Sequence, residues 1–128
     1  MLFATLVATL LGFGLGMLWY GRWFGRSWMT ESGFTPEQLQ TGFRPGRTYG
    51  LTFALGFVAA YAFGDAIGPD PDVGYATGVG LLVGLLWVAT AVGTNYLFER
   101  RTLRHFLITS GYHVTRFGLM GLAFGLFG

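Results

Sequence analysis

Four long stretches of this chain are almost free of charge, and nothing else in it constrains the fold as strongly. Leu2–Tyr20, Thr48–Gly64 and Val73–Phe98 carry no charged side chain, and Phe106–Gly128 carries one, Arg116. A helix rises about 1.5 Å per residue, so roughly 20 residues cross the ~30 Å hydrocarbon core of a bilayer. Thr48–Gly64 reaches that length when Arg47 and Asp65 at its ends snorkel toward the headgroups. Buried helices of a water-soluble domain are the competing reading, and composition disfavours it. Only 11% of the residues are charged, against roughly 25% in an ordinary soluble domain, too few to cover a globule of 128 residues. The expected fold is therefore all-α, an integral membrane bundle forming one domain over residues 1–128. Its four transmembrane helices are expected near 2–20, 47–65, 73–98 and 104–127, with an interfacial segment over 21–46. The first stretch reads as a retained helix and not a cleaved signal, because its basic residues, Arg22 and Arg26, follow it.

The connections agree on one orientation. Residues 21–47 hold Arg22, Arg26, Arg44 and Arg47 with Glu31 and Glu37, and 99–104 hold Glu99 with Arg100, Arg101 and Arg104. Residues 65–72 hold Asp65, Asp70 and Asp72 and no basic residue. The positive-inside rule then places the first and third connections in the cytoplasm and both termini outside, which corresponds to a multi-pass protein of a cytoplasmic (inner) membrane. Trp19, Tyr20, Trp23 and Trp28 are expected to anchor the first connection in the headgroup region, where such rings are enriched. Thr35-Pro36-Glu37-Gln38 combines a capping residue, a proline at the first helical position and a glutamine at the capping-box position. A short interfacial helix is expected from about Pro36 to just before Pro45-Gly46.

Inside lipid, helices are held together by close backbone approach at small residues. Thr5, Ala8, Thr9, Gly12 and Gly16 share one face of the first span. Thr77, Gly84 and Ala91 recur every seven residues in the third, as do Gly111, Gly118 and Gly125 in the fourth. The fourth span has a second face: at 100° per residue His105, Thr109, Tyr112, His113 and Arg116 fall opposite its glycines. An ionised side chain near mid-bilayer costs at least ~2.5 kcal/mol, so this face is expected to turn toward the bundle interior, a cavity or another subunit. Asn95, Thr109, Tyr112, His113 and Arg116 form the candidate polar cluster.

No motif for catalysis appears. There is no HExxH, P-loop, GxSxG or paired-carboxylate arrangement, and no cysteine for a CxxC site. His105 and His113 are eight residues apart with no neighbouring carboxylate, so neither a metal nor a cofactor is expected, and no residue is assigned a catalytic role. The net charge of +2 comes from arginines that flank apolar spans, so nucleic acid is not an expected partner.

Leu18-Trp19-Tyr20, Phe24-Gly25, Trp28-Met29, Pro45-Gly46, Tyr49-Gly50-Leu51, Thr94 through Glu99, and Gly111-Tyr112-His113 together resemble domain of unknown function 1761, a family of small bacterial membrane proteins. The resemblance runs nearly end to end. It implies a four-helix membrane protein and supplies no activity, substrate or catalytic residue. The chain departs from the family pattern at Thr109-Ser110, where an asparagine is common, and at Arg116, where an uncharged residue is usual.

These features predict a non-enzymatic membrane module whose partners are the bilayer and a second copy of itself, most simply a dimer formed through a small-residue face containing Gly118. The alternative is a small homo-oligomeric transporter or channel with the polar face of the fourth helix as its lining.

Overall fold

The computed structural model of the chain describes residues 1–33, 35, 37–38 and 44–128. All regular structure among these residues is helical: Glu37 and Gln38 are in helix, and the elements with both ends described are α1 (Leu2–Trp23), α2 (Gly25–Ser32), α3 (Pro45–Ile67), α4 (Val73–Glu99) and α5 (Leu103–Phe127). Local chemistry sets several of the ends. Gly33, with a positive φ of 78°, closes α2 in the left-handed conformation that glycine tolerates. Pro45, whose missing N–H is no loss in a first turn, begins α3. The Asp72 carboxylate accepts from Tyr75 N at 3.1 Å, and the Thr102 hydroxyl accepts from His105 N at 3.0 Å, so α4 and α5 each start with a side-chain cap. The expected capping box is formed: Thr35 Oγ1 accepts from Gln38 N at 3.1 Å, and Gln38 Oε1 accepts from Thr35 N at 2.9 Å. Pro36 and most of the interfacial helix expected after it lie outside the described residues.

Three helices are long and apolar enough to cross a membrane, namely α1, α3 and α4, where four were expected. α5 has the length, at 25 residues, but not the apolarity. The reason is its place in the fold. α5 packs along α1 on one side and along α4 on the other, receives α2 at its start, and touches α3 only lightly. Its buried residues run from His105 to Phe124. A helix enclosed by its neighbours can carry polar groups that an outer helix cannot.

Two helices contain a wider turn. In α1 the segment Leu18–Trp23 is π-helical, with Phe24 N bonded to Trp19 O at 2.8 Å, and in α4 the segment Gly84–Val88 is π-helical. Each wide turn rotates the face that follows it. In α4 the inward positions are Ala76, Gly80, Gly84 and then Ala89, so the seven-residue repeat expected to continue through Ala91 is broken, and Ala91 is exposed.

The core lies toward the end that carries both termini, where the Phe3 and Phe127 rings meet edge-to-face at 5.5 Å. It comprises Ala4, Ala8, Ala60, Phe63, Phe117, Met120, Ala123 and Phe124. Asp65, Asp70 and Asp72 belong to that end. Arg22, Arg26, Arg44, Arg47, Arg100, Arg101 and Arg104 belong to the opposite one.

Candidate functional site

The small-residue stripes bring the helices close enough to shape a cleft. On α1, Ala4, Thr5, Ala8, Thr9 and Gly12 are buried, and the two hydroxyls are satisfied within the helix, Thr5 to Met1 O and Thr9 to Thr5 O. Their outer surfaces therefore pack as small apolar groups. On α5, a Cβ at Gly118 would stand 2.6 Å from Leu81 Cδ2, and one at Gly125 would stand 2.6 Å from Val73 Cα. Gly84 faces Val114 Cα at 2.7 Å in the same sense, and Gly111 faces the Trp19 ring at 3.1 Å. The α5 glycine stripe, Gly118 included, is thus used within the chain, mostly against α4. It is not left over as a face for a second copy.

The opposite side of α5 turns inward. Tyr112 Oη donates to Gly12 O at 2.9 Å, and its ring lies 5.3 Å from the Tyr20 ring. Gly16 passes close to the Tyr112 hydroxyl, at 3.2 Å from a would-be Cβ. One turn on, the Arg116 stem crosses Gly12, where an added Cβ would meet Cγ at 3.0 Å. A methyl at position 12 would press on the arginine stem and require it to give by a few tenths of an ångström. The guanidinium lies 4.7 Å from the Phe117 ring centre and 5.9 Å from that of Tyr112. Both contacts favour a cation, through the negative face of the ring. Arg116 leans toward Tyr112, as a helical side chain tilted to the N-terminus should. Among the described residues it forms no ion pair, and its Nε is buried without a hydrogen-bond partner, as is His113 Nδ1.

The other expected cluster members divide. Thr109 joins through Tyr20, which hydrogen-bonds to it and whose ring meets that of Tyr112 edge-to-face, and Thr109 also accepts from Tyr96 Oη at 3.1 Å. Asn95 does not join, because it lies exposed on α4 beyond the wide turn. His105, named for the same face, is 3% exposed at the start of α5, against the Tyr96 ring at 4.8 Å and Ser32 Oγ at 3.5 Å. With Thr102 bonded to Glu31 and Arg104 to Ser27, it fastens α2 to the Arg-rich end of α5. That docking by α2 was not foreseen; the only sequence signal for its end is Gly33.

The aromatic band is also more internal than expected. Trp19 donates its Nε1–H to Ile108 O at 2.8 Å and packs on Phe24 at 4.7 Å, and Tyr20 meets Trp28 at 6.0 Å. Only Trp23 of the four is exposed, at 56%. The wide turn at Leu18–Trp23 is what lets adjacent Trp19 and Tyr20 both reach α5.

Between α1, α3 and α5 these contacts leave a wedge. At the acidic end α3 closes on α5, with Gly64 against the Phe124 ring and the Phe63 and Phe124 rings 6.0 Å apart. Toward the Arg-rich end the helices part around a cavity of about 320 Å³, lined by Phe13, Tyr20, Thr48, Tyr49, Thr52 and Tyr112 among others. Phe13, Thr52 and Tyr112 also border a deeper recess of about 30 Å³, whose wall includes Thr9, Gly12 and Arg116. The charge missing from the rest of the interior stands at the floor of this wedge. A larger apolar groove of about 620 Å³ follows the α4–α5 turn, from Leu85 to Phe106, and shares no residue with the wedge. No group of three or more metal-ligating side chains occurs among the described residues.

No curated protein and no solved structure matches the chain. A family model does, over residues 3–125, and the match spans the helices, the wedge and the Arg116 face together. The chain belongs to the family described as protein of unknown function DUF1761.

Proposed function

We propose that this is a non-enzymatic, four-span protein of the bacterial cytoplasmic membrane that binds a small solute in the α1–α3–α5 wedge, entered from the Arg-rich side. The wedge with Arg116 at its floor carries this reading. A stripe of spare glycines would have favoured a self-associating module, but the stripe on α5 is filled from within the chain. The outer surface fits a lipid environment: Leu55, Val58, Leu82, Leu86 and Trp87 are exposed, Trp87 at 71%, a belt that water would not tolerate. α5 is read as the fourth span, its polar side shielded by α1 and α4, and the arginine-rich end as cytoplasmic.

The orientation has its own test. A reporter active only in the cytoplasm, fused after Gly128, is expected to be silent, and the same reporter in the 100–102 turn active. Strong signal after Gly128 overturns the orientation. The chain has no cysteine, so single thiols report access to the wedge cleanly. In sealed vesicles, Thr52→Cys, which borders both the cavity and the recess, is expected to react with a charged, membrane-impermeant maleimide applied to the Arg-rich side. Ala60→Cys, in the core, and Leu55→Cys, on the outer belt, are expected not to react. An unreactive Thr52→Cys rules out a water-entered wedge, and reaction from both sides replaces a blind binding site with a continuous path.

A further inference from the structure

Resting on the reading of the wedge as a solute site, we infer that its ligand is an organic monocarboxylate with a compact apolar or aromatic body, its carboxylate in the recess beside Arg116. The size of the recess is the first argument. At about 30 Å³ it is far smaller than the cavity above it, so it takes a small end group such as a carboxylate and not the body of a ligand. Charge is the second. Among the described residues, Arg116 is the one ionised side chain on the walls of either space. One carboxylate neutralises it, whereas a dianion would leave an uncompensated charge away from water. Chemistry is the third. A guanidinium presents paired donors to a planar carboxylate, and Arg116 Nε has no partner among the described residues. The body of the ligand is set by the upper cavity. At about 320 Å³ it is the size of a small-molecule site, and Phe13, Tyr20, Tyr49 and Tyr112 give it ring-lined walls. Its polar groups are hydroxyls of tyrosine and threonine, and the Tyr112 hydroxyl is already committed to Gly12 O. Those walls welcome a ring or short chain more than a sugar or an amino acid.

The test uses the whole protein in nanodiscs and measures equilibrium binding of radiolabelled benzoate, with unlabelled benzamide, sulfate and phosphate as competitors. Benzoate is expected to bind saturably. Benzamide, equal in shape and neutral, is expected to compete at least about tenfold less well, the factor of one charge-assisted hydrogen bond. Arg116→Leu is expected to lose benzoate binding while Thr52→Cys in that background still labels from the Arg-rich side, so that loss of the ligand is separated from loss of the wedge. Sulfate or phosphate competing better than benzamide and as well as benzoate overturns the carboxylate assignment and leaves an anion site. No benzoate binding by a protein whose Thr52→Cys labels normally overturns the inference and leaves the wedge. Equal binding of benzoate and benzamide, unchanged in Arg116→Leu, removes Arg116 from recognition and overturns it as well.

Discussion

Gly80→Leu and Gly121→Leu are expected to destroy the native packing, while Gly14→Leu leaves it intact. The difference lies in what an added side chain meets. At Gly80 a Cβ would fall on the Phe117 carbonyl, and at Gly121 on the Ala76 carbonyl, both closer than any real contact. The obstacle is backbone in both cases, so neither a rotamer change nor a small shift relieves it. The α4 and α5 helices have to separate, and α5 is the element that joins α1, α2 and α4. Overpacking of an ordinary core costs about 1–3 kcal/mol; here the cost is expected at or above ~3 kcal/mol, because the whole α4–α5 contact is lost and not one rotamer. Gly118→Ala is expected to be milder, about 1 kcal/mol, since it meets the end of the Leu81 side chain, which can turn away. At Gly14 nothing stands within 4 Å. Melting curves of the four variants in one detergent check the ranking. A Gly121→Leu protein that melts with the parent means that α4 and α5 do not meet as described.

That ranking also shows what the residue pattern could and could not convey. The glycine stripe of α5 and the polar face opposite it are set by 3.6-residue periodicity along one uninterrupted helix, and they are where the pattern puts them. The same arithmetic on α4 holds at Thr77 and Gly84 and fails beyond, because the wide turn Gly84–Val88 shifts the register. Ala89 then faces inward and Gly93 sits against the Phe106 ring, while Ala91 and Asn95 turn out. Periodicity has no term for such a turn. The wedge has a similar origin. It exists because α3 meets α5 through Gly64 and Phe63 and diverges from it toward Thr48, and a divergence of two helices distant in sequence leaves no mark in either. Arg116 was legible as the single charge in a long apolar run, on the polar face of its helix. That it would lie over rings and beside Gly12, without a carboxylate, depends on how α1 and α5 face each other.

Arg116→Leu is expected to raise thermal stability by about 1 kcal/mol in the same detergent, and Arg116→Ala to lower it. On the proposed reading of α5 as a membrane span, a charged side chain at this depth costs about 2.5–3.5 kcal/mol. The structure returns part of this through the Phe117 and Tyr112 rings, contacts worth up to ~2 kcal/mol when desolvated. Nothing among the described residues returns the rest, because Nε has no acceptor and no acid pairs with the guanidinium. Leucine removes the charge and keeps apolar bulk against Gly12, so the balance turns favourable, as it does when other buried charges give way to apolar groups. Alanine removes the charge too, but it also deletes the Cγ and Cδ that fill the space over Gly12. The cavity left there adjoins the recess, and large-to-small losses of 2–5 kcal/mol in cores exceed what removing the charge returns. The pair of substitutions therefore separates packing from charge. If Arg116→Leu melts well below the parent, the guanidinium has a partner that stabilises the fold, and its place at the floor of the wedge is structural. If it melts at or above the parent, the chain keeps a residue that weakens it, and such residues mark sites kept for function over stability.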